Sequence, residues 1–127
     1  GTGSGYQASI LLEMGARVYS VERHHNLYVK TKQLLERLGY APRLFYGDGY
    51  KGLPSFAPFD RILVTAAAPS IPDALLQQLK PGGILVIPVG SGQTQIMTRV
   101  TKVSDSTVEK EACGHFRFVP MLENKAR

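Results

Sequence analysis

The chain opens on Gly1-Thr2-Gly3-Ser4-Gly5-Tyr6-Gln7-Ala8, and residues 3–8 satisfy the G-x-G-x-x-A form of a nucleotide-binding turn. Glycines at such positions let a ligand approach the backbone closely, and the N–H groups that open the following helix face it. Alone the match is weak, because glycine-rich turns are common. Glu22 adds weight: a carboxylate about 20 residues on, ending the next strand, is placed to accept hydrogen bonds from both hydroxyls of a ribose. Gly47-Asp48-Gly49 then sets a second acid, flanked by glycines, where it can accept from an adenine amino group. In an open α/β sheet, ligands bind beyond the carboxyl ends of the strands, so all three features fall on one edge. Singly, each reads as a turn or a solvated charge. Together they describe an adenosine site.

The elements that must position these residues can be traced along the chain. Tyr6 to Met14 carries Ala8, Leu11 and Leu12 at helical spacing, with Gly15 as its stop. Arg17 to Glu22 is short, β-branched and aromatic, and reads as a strand. Asn26 is placed to cap a helix running to Leu38, with an apolar stripe of Leu27, Leu34, Leu35 and Leu38. Pro42 to Tyr46 is a second strand. Gly52, Pro54 and Pro58 argue against a long helix over 50–59. Asp60 to Thr65 is a third strand, whose apolar centre suits burial on both faces. Pro72 to Leu79 reads as a short helix, ended by Lys80-Pro81-Gly82-Gly83, and Ile84 to Val89 as another buried strand. From Gln95 the texture becomes that of a β-hairpin, Gln95 to Val103 and Val108 to Val119, turning at Ser104-Asp105-Ser106. The order predicts an α/β protein, a mostly parallel sheet with an antiparallel end, and residues 1–127 as a single domain.

Composition agrees. The 127 residues are 43% hydrophobic and 20% charged, enough apolar content for a core and unlike a disordered tail or a collagen repeat. A lone cysteine, Cys113, cannot form an internal disulfide, and no apolar run approaches membrane-helix length. A cytoplasmic setting is therefore expected. The formal charge of +5 permits an acidic partner, but the Lys and Arg residues are scattered rather than clustered, so a solvated surface is expected in place of a nucleic-acid footprint.

From the residues alone, the ligand is either a nicotinamide dinucleotide or S-adenosylmethionine. At this point the sequence resembles the protein-L-isoaspartate O-methyltransferases, a branch of the class I S-adenosylmethionine-dependent methyltransferases. The resemblance is carried by Gly1-Thr2-Gly3-Ser4-Gly5-Tyr6-Gln7, Val21-Glu22-Arg23, Gly47-Asp48-Gly49, Phe59-Asp60-Arg61-Ile62, Thr65-Ala66-Ala67, Leu79-Lys80-Pro81-Gly82-Gly83, Pro88-Val89-Gly90 and Phe116-Arg117-Phe118-Val119-Pro120. The glycine loop is shared by many methyltransferases; the Asp-Arg-Ile…Thr-Ala-Ala-Ala-Pro and Arg-Phe-Val-Pro segments are far more specific.

The resemblance implies a Rossmann-like fold and a repair enzyme. Such an enzyme moves a methyl group from S-adenosylmethionine to the free α-carboxylate of isoaspartyl residues in damaged proteins. It further implies that Gly1, Gly3, Ser4 and Gly5 border the methionine and ribose parts of the cofactor. Glu22 would hold the ribose, and Asp48 with Gly49 the adenine. Ala67, Val119 and Pro120 are weaker candidates for a peptide groove. The Asn/Asp-Pro-Pro-aromatic segment common in enzymes that methylate nucleic-acid amines is absent, which again argues against a nucleic-acid partner.

Other polar residues have plainer readings. His24-His25 point different ways on a helix and have no third ligand close in sequence, so no metal is expected. His115 reads as solvated, Cys113 as packing rather than reacting, and Arg61 as a strand-edge cation. By resemblance, N-terminal helices and a first strand would precede Gly1, with the Ser/Thr-bearing loop to which the family assigns the active-site hydroxyl. No residue here takes that role. That strand would lie between the one ending at Glu22 and the one starting at Asp60. Residues 1–127 are accordingly expected to be the C-terminal portion of an N-terminally truncated methyltransferase domain, not competent alone. Two alternatives stay open: an NAD-dependent oxidoreductase, and a non-catalytic adenosine-binding fragment.

Overall fold

Gly5 has a left-handed backbone, φ 84°, and hands the chain into helix α1, Tyr6–Glu13. This is from a computed structural model that describes all of residues 1–127. The chain divides into two units, Gly1–Gly49 with Glu123–Arg127, and Tyr50–Leu122.

In the first unit, α1 is followed by strand β1 (Tyr19–Glu22), helix α2 (His25–Arg37) and strand β2 (Arg43–Tyr46). The two strands pair in parallel, Tyr19 opposite Arg43 and Glu22 opposite Tyr46. Helix α2 starts two residues earlier than a cap at Asn26 would allow. His24 is the extended N-cap residue, and its N–H goes to the Glu22 carboxylate at 3.0 Å. The next N–H, of His25, goes to the Ala126 carbonyl at 2.9 Å. The chain is therefore already held in place before Asn26. The buried side of α2 is Thr31 and Leu35, while Leu34 and Leu38 are exposed, so the apolar stripe is narrower than its leucines suggest. Residues 123–127 lie along Arg23–His25: Ala126 donates to the Arg23 carbonyl and accepts from the Tyr46 hydroxyl.

The second unit holds a 3₁₀ turn (Pro54–Phe56), strand β3 (Phe59–Leu63), helix α3 (Asp73–Gln77) and strands β4 (Leu79–Val89), β5 (Gln95–Ser104) and β6 (Thr107–Phe116). The sheet order is β3-β4-β5-β6, with β3 parallel to β4 and the other two pairings antiparallel. The expected parallel strands with an antiparallel end are thus present, and they hydrogen-bond as two sheets, β1-β2 and β3-β4-β5-β6.

Two local expectations change. Lys80-Pro81-Gly82-Gly83 lies inside β4 rather than outside it, because Leu79 already pairs with Phe59 and a register shift between Phe59 and Arg61 absorbs the glycines. Gly83 is required there: a Cβ would come within 2.7 Å of the Lys80 carbonyl. Strand β3 is not buried on both faces. It has a strand neighbour on one side only, and Leu63 is 45% exposed.

The core of this unit is Val64, Ala68, Leu75, Leu79, Leu85, Ile87 and Val100. Two buried polar side chains tie its loops. Lys102 Nζ donates to the carbonyls of Leu76 and Leu79, closing the end of α3. Gln78 accepts from the Leu53 N–H and donates to the Lys51 carbonyl, bracing the turn ahead of β3. No helix is long and apolar enough to cross a membrane.

Candidate functional site

The glycine loop is built from the backbone outward. Gly3 and Gly5 both take left-handed φ values, 59° and 84°, which glycine adopts without the Cβ penalty. Gly5 N–H donates to the Thr2 carbonyl at 3.1 Å, closing the turn. Thr2 Oγ1 meets Ser20 Oγ at 2.6 Å, which fastens the loop to β1. No side chain caps α1, so the leading N–H groups of the helix are left for solvent or a ligand. Gly1 and Ser4 are exposed, and nothing stands within 4 Å of the place where a Cβ on Gly3 would sit.

Glu22 joins this loop to the next one. It is 3% exposed, with Oε1 accepting from the Gly3 N–H at 3.0 Å and Oε2 from the His24 N–H at 3.0 Å. Two charge-assisted hydrogen bonds offset the burial of the carboxylate, and each oxygen keeps lone-pair capacity for a further donor. The Glu22 carbonyl accepts from the Gly47 N–H at 3.0 Å, which brings Gly47-Asp48-Gly49 alongside. Asp48 Oδ2 accepts from the Asn124 N–H at 3.0 Å. Gly1, Gly3, Ser4, Gly5, Glu22, Asp48 and Gly49 therefore all lie in one unit, with Gly3, Glu22 and Gly47 directly linked.

The residues fit the adenosyl ligand inferred from the sequence. The loop offers open space at Gly3, uncapped N–H groups at α1, and acceptors in reserve on Glu22. Three contributors escaped the sequence reading. Thr31 donates to the Gly3 carbonyl at 2.6 Å, and Asn124 meets Asp48. In the other unit, Gln95 accepts from the Phe118 N–H at 2.8 Å and donates to the Gly92 carbonyl at 2.7 Å. Thr31 had one readable signal: it stands midway between Leu27 and Leu35 on the buried face of α2, where a polar residue needs a partner.

Ala67, Val119 and Pro120 come together in the second unit. Ala67 N–H donates to the Val119 carbonyl and its own carbonyl accepts from the Met121 N–H, both at 2.7 Å, so Pro120 is bracketed. Ala67 is buried, whereas Val119 is 70% exposed and presents its side chain outward.

Residues 1–126 match the sequence profile of protein-L-isoaspartate(D-aspartate) O-methyltransferase, PCMT. The chain belongs to the PCMT family. A Cytophaga hutchinsonii protein named protein-L-isoaspartate O-methyltransferase is 57% identical over 122 residues, covering 96% of this chain and 55% of its own length. One of the same name from Christiangramia forsetii is 56% identical, covering 98% of this chain and 59% of its own. The chain thus spans between half and three-fifths of these curated PCMT relatives. A solved protein-L-isoaspartate O-methyltransferase superposes with a TM-score of 0.90 at 30% identity, over 98% of this chain and 41% of that one. A Plasmodium falciparum structure, described as a putative PCMT in complex with S-adenosyl-L-homocysteine, shares the fold with a TM-score of 0.79 at 24% identity, over 98% of this chain and 64% of that one.

Proposed function

We propose that this chain serves S-adenosylmethionine-dependent methylation of the free α-carboxylate of L-isoaspartyl residues in damaged proteins. The observation that carries the reading is the Glu22 junction, which ties the Gly3 N–H and the Gly47 N–H to one strand end inside a chain of the PCMT family. On this reading Gly1, Gly3, Ser4 and Gly5 border the methionine and ribose, Glu22 accepts from the ribose hydroxyls, and Asp48 with Gly49 meets the adenine. Ala67, Val119 and Pro120 form part of the peptide groove. Residues 1–127 form part of a single methyltransferase domain rather than a competent enzyme by themselves.

The chemistry asks little acid–base help from the protein. S-adenosylmethionine, when bound, supplies an activated methyl sulfonium, and a carboxylate is ionised near neutral pH. What remains for the chain is binding, orientation and exclusion of water. The small residues Ala66, Ala67 and Ala68 suit that task, and no general base is assigned among them. Cys113, an exposed free thiol, favours a reducing, cytoplasmic setting.

Titration calorimetry with S-adenosylhomocysteine and with NAD tests the cofactor. Binding of the first and not the second is expected; binding of NAD alone returns the dehydrogenase reading. A radiolabelled methyl donor offered with an isoaspartyl peptide and its aspartyl counterpart tests the substrate. Labelling of both peptides to the same extent above background would exclude it.

A further inference from the structure

Both peptide planes that meet at Gly3 are held by side chains, and only one of those side chains has a cofactor role assigned to it. The N–H of Gly3 goes to Glu22 Oε1 at 3.0 Å, and the Gly3 carbonyl accepts from Thr31 Oγ1 at 2.6 Å. Fixing the two planes fixes φ and ψ of the residue between them. Glycine is the residue with the most backbone freedom to lose, so a loop that uses it needs outside restraint to keep one shape.

Thr31 supplies that restraint with both arms. The hydroxyl of a helical threonine commonly bonds back to a carbonyl one turn earlier. Here its single proton goes instead to a carbonyl 28 residues away in sequence. The methyl, Cγ2, lies 2.9 Å from where a Cβ on Gly5 would stand, beside the Leu35 side chain. Thr31 is 2% exposed, so neither arm competes with bulk water. One residue of α2 therefore sets the Gly3 carbonyl and fills the space behind Gly5.

We propose that Thr31 is a positioning residue for the cofactor: its hydroxyl locks Gly3 in the one conformation that leaves the loop open to the adenosyl ligand. This rests on the cofactor reading above. Thr31 touches no ligand itself and acts through Gly3.

Two variants of the full chain separate hydroxyl from methyl. Thr31→Val keeps the shape and removes the donor, leaving the Gly3 carbonyl without it. Thr31→Ser keeps the donor and removes the methyl. With S-adenosylhomocysteine as the calorimetric probe, Thr31→Val is expected to bind about 10-fold more weakly, and Thr31→Ser within about threefold of the parent. Both are measured where circular dichroism shows the parent's folded signal. A Thr31→Val chain that binds like the parent overturns the proposal, as does a Thr31→Ser chain that loses as much as Thr31→Val. If Thr31→Val does not fold, Thr31→Ser decides alone: retained affinity supports the hydroxyl, lost affinity refutes it. If the parent itself fails to bind the probe, the cofactor reading falls, and the clamp is judged by hydrogen exchange at the Gly3 amide. Exchange faster in Thr31→Val than in the parent upholds the clamp, and equal exchange removes it.

Discussion

Glu22 carries two loads at once, and separating them decides what its substitution means. Its carboxylate holds the Gly3 and His24 N–H groups, and on the proposed reading it also accepts from a ribose. Glu22→Ala should weaken S-adenosylhomocysteine binding by about 1.5–3 kcal/mol, the range for hydrogen bonds to a charged group. It should also lower the thermal midpoint, because two backbone donors lose a buried acceptor. Calorimetry and thermal unfolding read the two effects separately; unchanged affinity with a lowered midpoint would restrict Glu22 to its structural load. At this scale the sequence reveals residues whose type the chemistry demands. A left-handed turn calls for Gly3 and Gly5, and an acid ending a strand stands out at Glu22. Thr31, Gln95 and Asn124 stayed hidden because each meets a partner far along the chain: Thr31 and Gln95 hold the backbone of Gly3 and Phe118, and the Asn124 N–H donates to the Asp48 carboxylate. No local pattern encodes such a partner.

Between elements, charge and register join β3 to β4. Asp60 on β3 pairs with Lys80 on β4, and the hydrogen bond from Lys80, then its charge, holds the Asp60 carboxyl below the ordinary carboxylate value. A depressed folded pKa gives stability that is present above the unfolded pKa and is lost as pH falls through the lower, folded one. Lys80→Met should therefore move the Asp60 titration upward and remove this acid-side contribution. Carbon-detected NMR titration of the carboxyl checks it, and an unmoved midpoint would mean that Lys80 is not its cause. Both groups are solvent-exposed, so added salt should shrink the effect. The elements themselves were largely readable, since α1, β1, α2, β2 and the hairpin follow their apolar spacing. What misled was context. The run Ile62-Leu63-Val64 looks buried on both faces, yet Leu63 is 45% exposed and β3, which ends there, has one strand neighbour; Gly82-Gly83 looks like a helix stop, yet β4 runs through it.

Across the whole molecule, the candidate residues sort by unit. Every residue assigned to the adenosyl ligand lies in Gly1–Gly49, and Ala67, Val119 and Pro120 lie in Tyr50–Leu122. If each set does what is proposed, substitutions in one should leave the other ligand's intrinsic affinity alone. Val119 suits the test: it is 70% exposed, so an acidic replacement buries no charge and disturbs no core. An isoaspartyl residue presents a free α-carboxylate, and Val119→Asp would set a like charge against it. Val119→Asp should weaken peptide binding several-fold without altering affinity for S-adenosylhomocysteine, and Glu22→Ala should do the reverse. The double variant should show both losses, each the same size as in its single variant, as for independent sites. Fluorescence anisotropy of a labelled isoaspartyl peptide and calorimetry of the cofactor product give the affinities needed, one of each for the parent, the two single variants and the double variant. A Val119→Asp chain that loses cofactor but not peptide would move this segment out of the groove. Non-additive losses would instead mean that peptide and cofactor report on one shared set of residues.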